Sequence, residues 1–120
     1  MLSYWDEQWR PVPGFEWGYY VSDFGRVKGP RKMLKGVDNG QGYLMVRLYK
    51  RRSTKKHYWL VHRLVALAFL EKLSPDADEV HHKDGNPANN HIDNLEWVKS
   101  SAHSRAGVRQ KQKDANLFAD

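Results

Sequence analysis

The sequence predicts an α+β protein in which a small N-terminal antiparallel sheet precedes a central helix and then a strand, loop, strand, helix unit. Three observations carry this prediction. The first half of the chain is cut into short apolar runs by turn residues, as in "GYYVSDFGRVKG" and "GYLMVRLYKRR". The middle holds "VHRLVALAFLEKL", whose apolar residues recur at helical spacing. The last third gathers four of the six histidines between Glu79 and His103, around a loop rich in Gly, Asn and Pro.

Taken in order, Trp9 to Leu60 favours strands. "SDFG" reads as a turn between two of them, and Leu44, Val46 and Leu48 alternate with Met45, Arg47 and Tyr49, as one buried and one solvated strand face require. "RRSTKK" joins this strand to "HYWLVH", so Arg51 to Lys56 is expected at a hairpin tip. Leu64, Val65, Leu67, Ala68 and Leu73 then place a helix from about His62 to Glu71, which "SPDAD" stops. Glu79 to His82 reads as a strand, Lys83 to Asp93 as a long loop and Asn94 to Val98 as a second strand. Ser100 or Ser101 caps a final helix through about Gln112. The natural division is a β-rich module at residues 1–60 and a second module at 61–120.

Composition limits the function classes. The chain has 120 residues, a single domain's worth, with 40% hydrophobic and 12% aromatic residues. This favours a folded protein despite a mean hydropathy of −0.81. A net charge of +6 and a pI near 9.6 make a polyanion the default partner, because clustered Lys and Arg gain by displacing condensed counterions from nucleic acid. No apolar run approaches the roughly 20 residues of a spanning helix, and "MLSYWDEQWRP" lacks the basic-then-apolar order of a signal peptide, so a cytoplasmic protein is expected. With no cysteine, any metal must be held by His, carboxylate or Asn.

Each histidine has an ordinary reading beside a chemical one. His57 and His91 fit a surface or satisfied-core role, and His62 a structural hydrogen bond. His81 and His82 differ because adjacent strand residues point to opposite faces, so they are not expected to share one task. A helix starting near Ser101 presents His103 toward the strand end that carries His81. Two imidazoles from a strand and a helix, with positions left for water and substrate, make a catalytic rather than a structural metal site. The loop residues Asp84, Gly85, Asn86, Pro87, Asn89 and Asn90 are what any tight loop uses, and Asp93 fits either a solvated turn or a carboxylate that supports a metal ligand. Leu95 and Trp97, with Trp9, Trp17, Tyr19, Tyr20 and Phe24, are read as core.

"VHHKDGNPANNHIDNLEWV" followed by "SSAH" resembles the signature of the His-Asn-His (HNH) endonucleases, more narrowly the HNH homing endonucleases of phages and introns. "VHRLVALAF" resembles the helix that precedes the motif there. "WRPVPGFEWGYYVSDFGRVKG" resembles the small N-terminal module that commonly accompanies it. The resemblance implies a ββα-metal (His-Me finger) nuclease motif. In it His81 is the first metal ligand, His82 the general base, Asn94 the central Asn and His103 the ligand on the helix. His81 stands where many members have Asp or Asn. One divalent ion is implied, Mg2+ or Mn2+, with Zn2+ or Ni2+ as alternatives at a His–His site.

The chemistry of the residues agrees. Phosphodiester hydrolysis needs an activated water, charge neutralisation on the phosphate and stabilisation of the departing 3′ oxygen. A neutral imidazole can take the proton from water, since its ordinary pKa of about 6.5 lies near neutral pH. An Asn amide is no base, so Asn94 is expected to fix the loop and hold the base's orientation. Lys50, Arg51, Arg52, Lys55 and Lys56 crowd one hairpin tip, where a merely solvated turn would mix signs, and are read as a clamp on the DNA backbone. Arg63, Arg105 and Arg109 extend it. The expected partner is double-stranded DNA, without membrane, and a homodimer is compatible with the sequence. A non-catalytic DNA-binding protein on the same fold, or a nuclease acting on RNA, is the alternative.

Overall fold

The computed structural model describes residues 6–72 and 74–99. The expected final helix lies outside them, with His103, Arg105 and Arg109, and so does Leu73. Nine short strands and one α-helix form three antiparallel sheets among the described residues, an α+β architecture. The first sheet orders β1 (Trp9–Pro11), β2 (Tyr20–Ser22), β3 (Val27–Lys28) and β4 (Met33–Leu34) side by side. The second holds β5 (Val37–Asp38), β6 (Leu44–Leu48) and β7 (His57–Leu60), and the third pairs β8 (Glu79–His82) with β9 (Leu95–Val98).

The alternation expected along β6 is observed. Val46 and Leu48 are buried while Arg47, opposite Tyr58 on β7, is exposed. β7 runs directly into α1 (Val61–Phe69). The buried side chains of α1 are Val61, His62, Leu64, Val65 and Ala66. Leu67, one of the residues whose spacing placed the helix, is 40% exposed, because it lies on the side of the helix opposite those buried residues.

The helix ends at Phe69, two residues before the expected Glu71, and tertiary contacts explain it. Arg10 donates to the Ala68 carbonyl at 2.7 Å and lies over the Phe69 ring, and the Trp97 indole donates to the Leu70 carbonyl at 3.1 Å. These side chains satisfy C-terminal carbonyls that a further turn would otherwise have to cover. α1 touches strands of all three sheets, and Val12, Val21, Val27, Leu48, Leu64 and Leu95 belong to one continuous core.

Two expected core aromatics are not buried. Trp17 is 43% and Tyr20 38% exposed, whereas Tyr19 between them is 5% exposed and its hydroxyl accepts the Tyr49 N–H at 3.2 Å. Trp17 still donates its indole N–H to the Tyr49 carbonyl at 3.0 Å. Among the described residues, no helix is long and apolar enough to cross a membrane.

Candidate active site

The β8–β9 hairpin sets the geometry. His82 faces Leu95 and His81 faces Glu96 across the ladder, so the two histidines leave opposite faces of the ribbon. His82 turns inward and is 7% exposed. Its ring meets the His62 ring edge-on at 4.8 Å between centroids, and Tyr43 lies against both rings at 5.4 and 5.8 Å. His82 Nε2 lies 2.9 Å from Asn90 Oδ1. With the amide oxygen facing the ring, Nε2 carries the hydrogen and Nδ1 keeps its lone pair. Burial holds the His82 imidazole below its ordinary pKa, while Asn90 and then Asp84 partly offset that shift.

Asn94 organises the loop. Its Oδ1 accepts the Asp84 N–H at 3.0 Å, and its Nδ2 donates to Asp84 Oδ1 and to the Asn89 carbonyl, each at 2.9 Å. Asp84 in turn accepts the Asn86 N–H at 2.8 Å and the Asn89 amide at 2.9 Å. The Lys83 N–H reaches the Asn94 carbonyl at 2.8 Å, which closes the loop at its base. Gly85, at φ +76°, takes the left-handed turn that L side chains rarely adopt. Asn94 is thus joined to the stretch that ends in Asn90.

Two residues gain roles that the sequence reading had not given them. Asn90, read as an ordinary loop residue, is 4% exposed and holds the His82 ring. His62, read as a structural hydrogen-bonder, has no partner for its Nδ1 and stands beside His82 instead. A His on the buried face of a helix was the only signal for it. His57 packs edge-on against Phe15, and His91 accepts the Asp93 N–H at its Nδ1, 3.1 Å away.

Burial pushes the His62 pKa from 6.5 down to about 3, with His82 and Arg63 adding to the shift. Above its unfolded pKa the ring is neutral in both states and costs nothing. As pH falls from 6.5 toward about 3, the unfolded chain takes up a proton that the folded chain refuses, and stability is lost. By about pH 4 this penalty is on the order of 3 kcal/mol. His62→Phe should therefore flatten the fall of the urea midpoint between about pH 7 and about pH 4. Parallel curves for wild type and variant would assign that acid sensitivity to other groups.

For a metal, His81 and its cross-strand neighbour Glu96 place an imidazole and a carboxylate on one face, donors that suit a divalent ion. No group of three or more His, Asp or Glu residues able to hold a metal occurs among the described residues. His103, the other expected ligand, lies outside them.

The basic tip is built as expected around a turn at Arg51 and Arg52, and Arg51, Arg52, Lys55 and Lys56 are exposed. Lys50 differs. Its ammonium donates to the Gly14 carbonyl at 2.7 Å and sits over the Phe15 ring, anchoring the tip to the first sheet. Arg63 is half-buried on α1.

Residues 60–105 match the family model described as HNH endonuclease, and residues 7–49 match the NUMOD4 motif. The chain is 39% identical over 93 residues to DNA endonuclease I-HmuI of Bacillus phage SP01, covering 76% of this chain and 52% of that protein. It is 38% identical over 112 residues to an uncharacterized HNH endonuclease of Acanthamoeba polyphaga mimivirus, covering 89% of this chain and 27% of that protein. The chain therefore spans about half or less of the curated relatives it matches. A solved structure, titled as DNA binding and cleavage by the HNH homing endonuclease I-HmuI, superposes with a TM-score of 0.70 at 33% identity, covering 91% of this chain and 66% of that one.

Proposed function

Because the chain belongs to the HNH endonuclease family, with a NUMOD4 motif ahead of its HNH domain, we propose that it is a divalent-metal-dependent DNA endonuclease of the homing type that nicks one strand per active site. The observation that carries this reading is the His82 imidazole, held neutral by burial and oriented through Nε2 by Asn90. Nδ1 of His82 then takes the proton from the attacking water. Asn94 keeps the loop closed around that ring. The metal ligands are His81 and His103, and the ion, when bound, supplies charge neutralisation at the phosphate and at the departing 3′ oxygen.

Residues 1–60 form the DNA-contacting module and 61–120 the nuclease module in this reading. Arg51, Arg52, Lys55, Lys56, Arg63, Arg105 and Arg109 contact the duplex backbone, and Lys50 holds the tip in place. In this reading it acts in the cytoplasm, that of the host cell if the gene is phage-borne.

Supercoiled plasmid incubated with the purified chain should pass to nicked circles when Mg2+ or Mn2+ is present and stay intact with a chelator. A single active site faces one strand, so linear product should follow the nick in a monomer, whereas a dimer brings a second site. Solution mass measured at the assay concentration separates those cases. Cleavage unaffected by chelation, or cleavage of RNA alone, would overturn the reading.

The tip has its own test. Arg52 sits at φ 60°, a conformation that glycine adopts without strain. Combining Arg52→Gly with Ser at Arg51, Lys55 and Lys56 should weaken binding to all duplexes alike without lowering stability. It should also reduce the slope of log affinity against log salt by up to about 0.9 for each phosphate contact removed. An unchanged slope would return the tip to a solvated turn.

A further inference from the structure

The turn between β2 and β3, in the first sheet, is fastened to the segment that holds His82. The Ile92 N–H donates to the Asp23 carbonyl at 2.8 Å, and the Phe24 ring lies against the His91 ring at 5.0 Å. Gly25, at φ +89°, meets Asn90 so closely that a Cβ there would stand 2.8 Å from both the Asn90 Cβ and its carbonyl oxygen. Glycine is required twice over, by the backbone conformation and by the space. The side chain of Asn90, just beyond that contact, is the one at 2.9 Å from His82 Nε2.

The turn is itself well braced. Ser22 Oγ accepts the N–H groups of Phe24 and Arg26 at 3.2 and 3.1 Å, and Asp23 exchanges two bonds with Gln8, its N–H to the Gln8 carbonyl at 3.1 Å and its Oδ1 from the Gln8 N–H at 2.9 Å. Three successive residues, Asp23, Phe24 and Gly25, thus hold Ile92, His91 and Asn90 respectively. Asn94 ties the Asp84–Asn89 part of the loop, the turn ties Asn90 to Ile92, and small shifts matter at a reacting group. A misplacement of about 1 Å can cost on the order of 100-fold in rate.

We propose that the Ser22–Arg26 turn of the N-terminal module is a positioning element for His82, acting through Asn90. The proposal rests on the reading of His82 as the base. It makes the N-terminal module part of the catalytic geometry as well as a DNA-contacting surface.

The test is a double-mutant cycle on the full chain, using supercoiled plasmid with Mg2+ or Mn2+. Gly25→Ala and Asn90→Ala should each lower kcat by at least about tenfold with KM and duplex affinity little changed. The double variant should be no slower than Asn90→Ala alone, because both changes act on one contact. Asn90→Asp, which keeps an acceptor toward Nε2, should recover most of the loss. If Gly25→Ala does not fold, Phe24→Leu takes its place in the same cycle.

Imidazole nitrogen NMR of the unliganded protein reads the positioning without any cleavage. His82 should show one tautomer, protonated at Nε2, in wild type and a mixture in Gly25→Ala. A folded wild type that cuts no substrate would overturn the nuclease reading, and the NMR arm alone would then decide the positioning role. Additive losses in the cycle, or an unaltered His82 tautomer in folded Gly25→Ala or Phe24→Leu, would overturn the proposal.

Discussion

His82→Ala is expected to lower the rate of plasmid nicking by 10²- to 10⁴-fold, about what a positioned general base contributes. The change removes Nδ1, the group assigned to take the proton from water, and leaves His81 on the opposite face untouched. Duplex affinity should stay within about twofold, since the exposed cations of the tip lie on another hairpin and phosphate contacts dominate affinity. Folding will be somewhat weakened, because Asn90 Oδ1 is left without its ring partner in a buried place, at a cost of about 1–3 kcal/mol. Rates are therefore best compared in single turnover at a temperature where both proteins are folded. Wild-type nicking by a folded His82→Ala protein would place the base elsewhere.

Asn94→Ala should damage stability and cleavage together, and this separates it from His82→Ala. Three hydrogen bonds are lost at once, to the Asp84 N–H, to Asp84 Oδ1 and to the Asn89 carbonyl. At about 1 kcal/mol each, the native state loses roughly 3 kcal/mol. The loop that ends in Asn90 also loses one of its two anchors, the Ser22–Arg26 turn being the other, so the His82 ring is held less firmly. Asn94→Asp is expected to be at least as harmful, because it replaces the donor by a second carboxylate against Asp84. The measurement is a urea midpoint beside a nicking rate. An unchanged midpoint in Asn94→Ala would show that the loop is held by other contacts.

Much of this layout was legible in the residues themselves. The alternation in "LMVRL" dictates which side chains of β6 are buried, since a strand turns successive residues to opposite faces. The same rule separates His81 from His82 before any fold is known. The turn at "SDFG" and the loop "KDGNPANN" are marked by residue types that suit their backbones, as Gly25 and Gly85 at positive φ illustrate. These features depend on sterics within a few residues, and a sequence carries that information directly.

What the tertiary structure decided depends on how elements meet. Nothing near His62 in sequence indicates that its ring will stand 4.8 Å from that of His82, or that its Nδ1 will be buried without a partner. The contact exists because α1 packs its buried face against β8 in one shared core. Lys50 reads as one more cation of the tip until Gly14 and Phe15 are brought under it. Leu67, Trp17 and Tyr20 are apolar or aromatic enough for a core, yet the surface left by neighbouring elements exposes them. Asn90 is the clearest case. Its residue type suits a loop, but its grip on His82 arises where Gly25, from the turn between β2 and β3, leaves room for Asn90 that a Cβ would take. Local sterics fix the conformation of a segment, whereas the partners of a side chain are set by packing between segments distant in the chain, which no short stretch of residues encodes alone.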